Sequence, residues 1–192
     1  MKLFLLRHGL TEANARRLYY GRTDLPLSPE GRRLLKAAKK PPAAAVYYTS
    51  GLRRAEETLA LLCPGAAHSV IPELREMDFG RFEMHSYEEL KDDPDFVRWC
   101  TGDNEHNRCP DGESAAEVTQ RALRALRPIL LAGQDALCVT HGGVIAGLLS
   151  TWFGGGRFDW TPAPGSGYCV EFCGLHPVRA EKLQTENSNT DS

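Results

Sequence analysis

Apolar and polar positions along the chain fall into blocks that alternate between unbroken apolar runs and helical spacing. Lys2–Arg7 is a short apolar run and predicts a strand. Ser28-Pro29-Glu30 offers an N-cap followed by proline at the first helical position. The helix it opens carries Leu34, Leu35 and Ala38 inward and stops before Pro41. Ala44–Thr49 predicts a second strand, Leu52–Leu62 a helix closed by Pro64 and Gly65, and Ser69–Ile71 a short strand. Ser86-x-x-Glu89 is a capping box that starts a short helix. Glu113–Leu131 predicts a longer helix with Val118, Ala122, Leu126 and Ile129 on one face and Pro128 placed to kink it. Ala136–Thr140 has the continuous apolar character of a buried parallel strand. Gly143–Phe153 predicts a helix and Tyr168–Phe172 a last strand. This alternation defines an α/β fold: a three-layer sandwich with a mostly parallel central sheet flanked by helices. Ligands of such sheets sit beyond the carboxyl ends of the strands.

Composition narrows the picture. With 192 residues, one domain over 1–183 is expected, and an eight-unit α/β barrel, which takes about 250 residues, is not. Residues 184–192 contain no apolar side chain and are expected to form a flexible tail. The balance of 23 Lys and Arg against 25 Asp and Glu argues against a nucleic-acid or membrane-surface binder. No segment reaches the ~18 apolar residues of a membrane span. The apolar start of the chain is ended by Arg7 before it reaches the ~7–15 residues of a signal core, so a cytoplasmic protein is expected. The six cysteines have no zinc-site spacing, and Cys138, inside an apolar run, reads as a buried thiol; no metal is expected.

The strand ends select the candidate chemistry. Arg7-His8-Gly9 follows the first strand, Thr49-Ser50 and then Arg53 the second, and Thr140-His141-Gly142-Gly143 the central one. Glycines allow backbone N–H groups to approach an anion closely, and guanidinium forks match phosphate oxygens. Together these residues suit a phosphate held beside an imidazole. Singly, each has a plainer reading: Arg53 as a solvated helix residue paired with Glu56 or Glu57, and His141 with its glycines as a tight turn.

The sequence resembles the histidine phosphatase superfamily, the phosphoglycerate mutase-like proteins. Leu6–Asn14 matches its RHGxTxxN signature, Ser50–Thr58 its SxLxRAxxT element, Leu74–Gly80 the element that carries the acid, and Thr140–Gly143 the last motif. Gly21–Ser28 fits the stretch that follows the first motif in many members. The resemblance implies that His8 is the nucleophile and forms a phosphohistidine, and that Glu76 is the acid that protonates the leaving group and then activates water. It implies that Arg7, Arg53 and, where it is protonated, His141 surround the phosphoryl oxygens. Asn14, Thr11 and Gly142 are the further phosphate contacts. Arg22 and Thr23 are candidate pocket residues, with a structural turn as the alternative. No cofactor is implied, because the arginines supply the positive charge.

The superfamily holds mutases, phosphatases and non-catalytic relatives. The mutases carry a long insertion with extra basic residues between the positions of Gly80 and Glu113. Here the cap segment, about 81–112, is short and rich in acids, among them Glu83, Glu88, Asp93, Asp95 and Glu105. An acidic rim disfavours a doubly anionic ligand. The expected activity is therefore hydrolysis of a small phosphorylated metabolite by a monomer or homodimer. The look is closest to α-ribazole-5′-phosphate phosphatases; a phosphoglycerate mutase and a non-catalytic phospho-ligand module are the alternatives. Where that family reads Trp-Glu-Gly, this chain has Phe82-Glu83-Met84, and loss of the glycine is expected to reshape the loop behind the acid. Phe96, Trp99, Trp152, Phe153 and Trp160 read mainly as packing, with an aromatic wall as the alternative.

Overall fold

The computed structural model describes residues 1–103 and 105–183; the tail expected at 184–192 lies outside the described residues. Along the chain come β1 (Lys2–Arg7), α1 (Glu12–Ala15), α2 (Pro29–Ala37), β2 (Val46–Thr49), α3 (Arg53–Leu62), β3 (Ser69–Val70), α4 (Tyr87–Leu90), α5 (Pro94–Cys100), α6 (Ala115–Ala132), β4 (Ala136–Thr140), α7 (Gly142–Phe153), β5 (Gly167–Cys173) and β6 (His176–Leu183). The strands form one sheet in the order β3-β2-β4-β1-β5-β6. β1, β2, β3 and β4 pair in parallel, while β5 is antiparallel to both its neighbours.

The period-two alternation of the strands builds the three layers. Leu3 and Leu5 of β1, with Ala136 and Cys138 of β4, face a cluster containing Leu126 of α6 and Ile145 and Leu148 of α7. Phe4 and Leu6, with Leu137 and Val139, face Leu35 of α2 and Ala55, Leu59 and Leu62 of α3. A fully buried leucine stabilises by about 1.5–3 kcal/mol, so these two faces fix the register of the central strands. In that register Arg7 lies opposite Thr140, and the next residues, His8 and His141, leave the sheet side by side.

Several details depart from the sequence reading. β6 escaped it because its side chains are mostly exposed and charged, which suits an edge strand that must resist pairing with another chain. Only Gly174 and Leu175 separate β5 from β6, a connection that forces antiparallel pairing. Leu34 is exposed rather than inward, and Pro128 stands inside α6 without ending it. Phe82, Phe96 and Trp99 pack edge-on with Tyr19 and Phe79 between α5 and the 3-10 turn Gly80–Phe82. Trp152 and Trp160 instead pack on Phe172 and Tyr168 of β5.

Met84 has φ 64°, in the left-handed region. Its N–H donates to the Tyr19 carbonyl at 2.7 Å, and the Tyr19 N–H donates to the His85 carbonyl at 2.9 Å, so the turn is pinned where a glycine would sit without strain. A left-handed L-residue costs about 1–2 kcal/mol, and glycine loses about 0.5–1 kcal/mol more backbone entropy on folding. Met84→Gly is therefore expected to raise the unfolding free energy by up to about 1 kcal/mol in urea titrations. A clear loss of stability would show that the Met84 side chain contributes packing that outweighs its strain.

Candidate active site

The carboxyl edge of β1, β2 and β4 gathers His8, His141, Ser50 and two guanidinium groups. His8 is buried, and its Nδ1 lies 2.7 Å from the Gly9 carbonyl. A carbonyl only accepts, so Nδ1 carries the proton and Nε2 keeps a free lone pair. The Gly9 N–H donates to Thr58 Oγ1 at 2.9 Å, which ties this loop to α3. The two histidine rings are 5.1 Å apart. Burial first, then the charges of Arg54 and Arg7, hold His8 well below the ordinary value of 6.5. Burial, Arg54, His8 and Arg7 do the same to His141. His141 Nδ1 accepts from Arg54 Nε at 3.3 Å and its Nε2 donates to Ser50 Oγ at 2.8 Å, the pattern of a neutral ring.

Arg54, not Arg53, occupies the second guanidinium position. Arg54 is fully buried and donates to the carbonyls of Thr23 at 2.9 Å and Gly21 at 2.6 Å. Its guanidinium lies 4.8 Å over the Tyr20 ring. Arg53 points to solvent, with its side chain 62% exposed and Nε 3.5 Å from Glu57. Helical phase explains the exchange. Ala55, Leu59 and Leu62 define the buried stripe of α3, and Arg54 and Thr58 fall on its flank one turn apart, whereas Arg53 falls outside it.

Arg7 donates to the Pro162 carbonyl at 2.7 Å, and its Nε is buried without a hydrogen-bond partner. Gly142 packs flat on this guanidinium: a Cβ there would lie 3.1 Å from Cζ. Among the described residues neither Arg7 nor Arg54 has a carboxylate within 4.0 Å. Two cations thus come to this edge held directly by carbonyls, an imidazole and an aromatic face, with Glu76 the nearest carboxylate in the same cleft as Arg7.

Glu76 sits at the start of α7. Its Oε2 accepts from the Gly143 N–H at 3.0 Å and its Oε1 from the Met77 N–H at 3.0 Å. A Cβ on Gly143 would come within 2.4 Å of Oε1, so any side chain there displaces the Glu76 carboxylate. With Arg7, His8, Asn14, Leu18, Tyr19, Tyr20 and Phe79, Glu76 lines a cleft of about 130 Å³. A larger groove of about 690 Å³, lined by Tyr48, Ile71, Arg121 and Pro128, contains none of these residues.

The remaining residues divide between contact and support. Asn14 reaches the cleft; its Oδ1 accepts from the Thr11 N–H and hydroxyl and from Tyr20, which leaves the amide N–H groups for a ligand. Thr11 does not reach it: the side chain is fully buried and caps α1. Arg22 lies at the exposed rim, paired with Asp78 at 3.3 Å. Thr23 points away, bound to Glu83 through both its hydroxyl and its N–H. Glu83 also accepts from the N–H groups of Gly21, Arg22 and Phe79. It is therefore no part of an acidic rim; it fastens the loop whose carbonyls hold Arg54. Of the other cap acids, Glu88, Asp93, Asp95 and Glu105 are matched by Arg81, Lys91, Arg98 and Arg157. Tyr20 and Glu83 carried no signal in the sequence as site residues, whereas the α3 stripe pointed to Arg54.

Among the described residues no group of three or more His, Cys, Asp or Glu is placed to hold a metal, and no helix is long and apolar enough to cross a membrane. Burial pushes the thiols of Cys109 and Cys138 up to about 12, which leaves them unreactive.

Comparison with known proteins places the chain in a family. The histidine phosphatase superfamily (branch 1) matches residues 3–172. The "Adenosylcobalamin/alpha-ribazole phosphatase" of Salmonella typhimurium is 34% identical over 160 residues, 78% of each chain. The "Probable phosphoglycerate mutase GpmB" of Cronobacter sakazakii is 33% identical over 162 residues, 80% of this chain and 75% of that one. The crystal structure of the alpha-ribazole phosphatase from Shigella flexneri superposes with a TM-score of 0.82 at 25% identity, covering 99% of this chain and 100% of that one. The chain belongs to the histidine phosphatase superfamily. It is an enzyme of the phosphatase class.

The depressed histidines link stability to pH. The unfolded chain binds protons on these residues near 6.5, and the folded chain binds them only at lower pH. Their contribution is thus fully present above about pH 6.5 and is lost as pH falls toward the folded values. In phosphate-free buffer the Tm is expected to fall between about pH 6.5 and 5, and less steeply in His141→Gln. A Tm that is flat over this window in the wild type would contradict the burial described.

Proposed function

We propose that the enzyme hydrolyses small phosphomonoesters through a phosphohistidine on His8, with positive charge supplied by Arg7 and Arg54 rather than by a metal. The observation that carries this reading is the pair of guanidinium groups, free of any carboxylate partner, next to the Nε2 lone pair of a neutral imidazole. Nε2 attacks phosphorus while the P–O ester bond breaks, and the leaving oxygen takes a proton from Glu76. The Nδ1–H bond to Gly9 steadies the positive charge that develops on the ring. The Glu76 carboxylate then takes a proton from water, the resulting hydroxide attacks phosphorus, and the P–N bond breaks to restore neutral His8. Phosphoryl transfer depends mainly on charge stabilisation at the equatorial oxygens, which Arg7, Arg54 and the Asn14 amide provide. A phosphoryl oxygen beside His141 can take its Nε2–H in place of Ser50 Oγ, which needs no proton on Nδ1.

Water as the final acceptor, and an α-ribazole 5′-phosphate-like substrate, fit the rest of the cleft. Beyond Arg7 its walls include Leu18, Tyr19, Tyr20 and Phe79, and the arginine at its rim, Arg22, is already paired with Asp78. An ester with an aromatic or apolar body matches those walls, in keeping with the name of the Salmonella relative. The acids of the cap segment no longer support this choice, since most are paired or turned inward.

A panel of phosphomonoesters assayed in the presence of a chelator tests the reading. Faster phosphate release from α-ribazole 5′-phosphate than from 3-phosphoglycerate is expected, with no isomerised phosphoglycerate. Efficient isomerisation would establish a mutase instead, and absence of turnover on every ester a binding module. His8→Ala is expected to abolish release while folding normally; near-wild-type release by that variant would remove the phosphohistidine step.

A further inference from the structure

Glu76 lies in an irregular segment, Arg75–Phe79, that follows the 3-10 turn Pro72–Leu74 and has no strand or helix to hold it. One side chain of α6 does so instead. Arg121 Nη1 donates to the carbonyls of Glu73 at 2.5 Å and Arg75 at 2.7 Å, and Nη2 donates to the carbonyl of Glu76 at 3.0 Å. The same guanidinium grips Glu113 through Nε at 2.8 Å and Nη2 at 2.9 Å. Glu113 in turn accepts from the Asp78 N–H at 3.0 Å, and its own N–H donates to the Asp78 carbonyl at 2.9 Å. The pair is mostly shielded, with side chains 16% and 25% exposed. Every bond to the segment goes to its backbone, and those bonds bracket Glu76 on both sides. A guanidinium suits this task because its planar fork serves three carbonyls and a carboxylate at once; an ammonium is a point charge and does not.

We propose that Arg121, braced by Glu113, is a positioning residue for proton transfer: it sets where the Glu76 carboxyl lies relative to the ester oxygen leaving His8-bound phosphorus. This rests on the general-acid role of Glu76 proposed above. Glu76 reaches the cleft from a loop, so its placement depends on this brace and on the Gly143 N–H that caps its carboxylate. A misplacement of about 1 Å suffices to cost about 10²-fold in rate.

The test compares two esters in the same preparation, p-nitrophenyl phosphate, whose leaving group needs little protonation, and methyl phosphate, whose leaving group needs a full proton. The ratio of their kcat values cancels the fraction of folded enzyme, so a merely destabilised variant leaves it unchanged. Relative to wild type, Glu76→Gln is expected to shift the ratio against methyl phosphate by about 10²-fold. Arg121→Lys and Glu113→Gln are each expected to shift it the same way by about tenfold. Arg124→Ala, an exposed neighbour on the same helix, is expected to leave it unchanged. If Glu76→Gln shifts the ratio but Arg121→Lys and Glu113→Gln keep the wild-type value, the positioning role is overturned while the general-acid role stands. If Glu76→Gln leaves the ratio unchanged, the general-acid role fails and this inference with it. Should Arg121→Lys not fold, Glu113→Gln decides alone.

Discussion

Two guanidinium ions held at a buried sheet edge without a carboxylate are the constraint that the rest of the site answers to. Removing a charge from water costs several kcal/mol, and a buried cation is normally matched by an anion. Arg7 and Arg54 are instead oriented by the carbonyls of Pro162, Gly21 and Thr23 and by the face of Tyr20, dipoles that steady a charge without cancelling it. Arg7 lines the small cleft with His8, Asn14 and Glu76, and Arg54 stands behind it against His141. Glu83 belongs to the same logic. Its carboxylate binds the backbone of the Gly21–Thr23 loop rather than the arginine, so the loop is fixed and the arginine stays unneutralised.

The histidines follow from that positive edge. Burial and two nearby cations disfavour a further proton, so His8 is neutral and its tautomer is set by the Gly9 carbonyl. In the nucleophilic role proposed for it, His8 is therefore ready without a base to activate it, which removes a function that other covalent catalysts must build in. The parallel pairing of β1 with β4 places the second histidine beside the first with no further device. Glu76, the proposed acid, arrives differently, on a loop, and is held by α6 and the start of α7.

This contrast explains what the sequence disclosed. Strand-borne features were legible, because apolar runs such as Lys2–Arg7 and Ala136–Thr140 mark both the sheet and the positions just past its edge. His8, His141 and Gly142 could be placed from pattern alone. Arg53 was the wrong one of two adjacent arginines, and the buried stripe of Ala55, Leu59 and Leu62 held the information that separates them. Glu83 read as surface charge because its partners are backbone N–H groups, which leave no trace in side-chain identity. Thr11 was placed on the phosphate for the matching reason: its capping bonds to Asn14 are local and its burial comes from the fold. Met84 shows that a turn can keep a left-handed residue without glycine when bonds to Tyr19 on both sides of the turn hold it.

Arg54, with Arg7, forms the anion seat on which the proposed chemistry depends. Calorimetric titration of inorganic phosphate into Arg54→Gln and Arg53→Ala tests it most directly. Loss of one charge-assisted guanidinium contact is worth about 1.5–3 kcal/mol, so Arg54→Gln is expected to weaken binding by at least about tenfold, while Arg53→Ala binds as wild type does. Equal affinity in wild type and Arg54→Gln, or a loss confined to Arg53→Ala, would contradict the account.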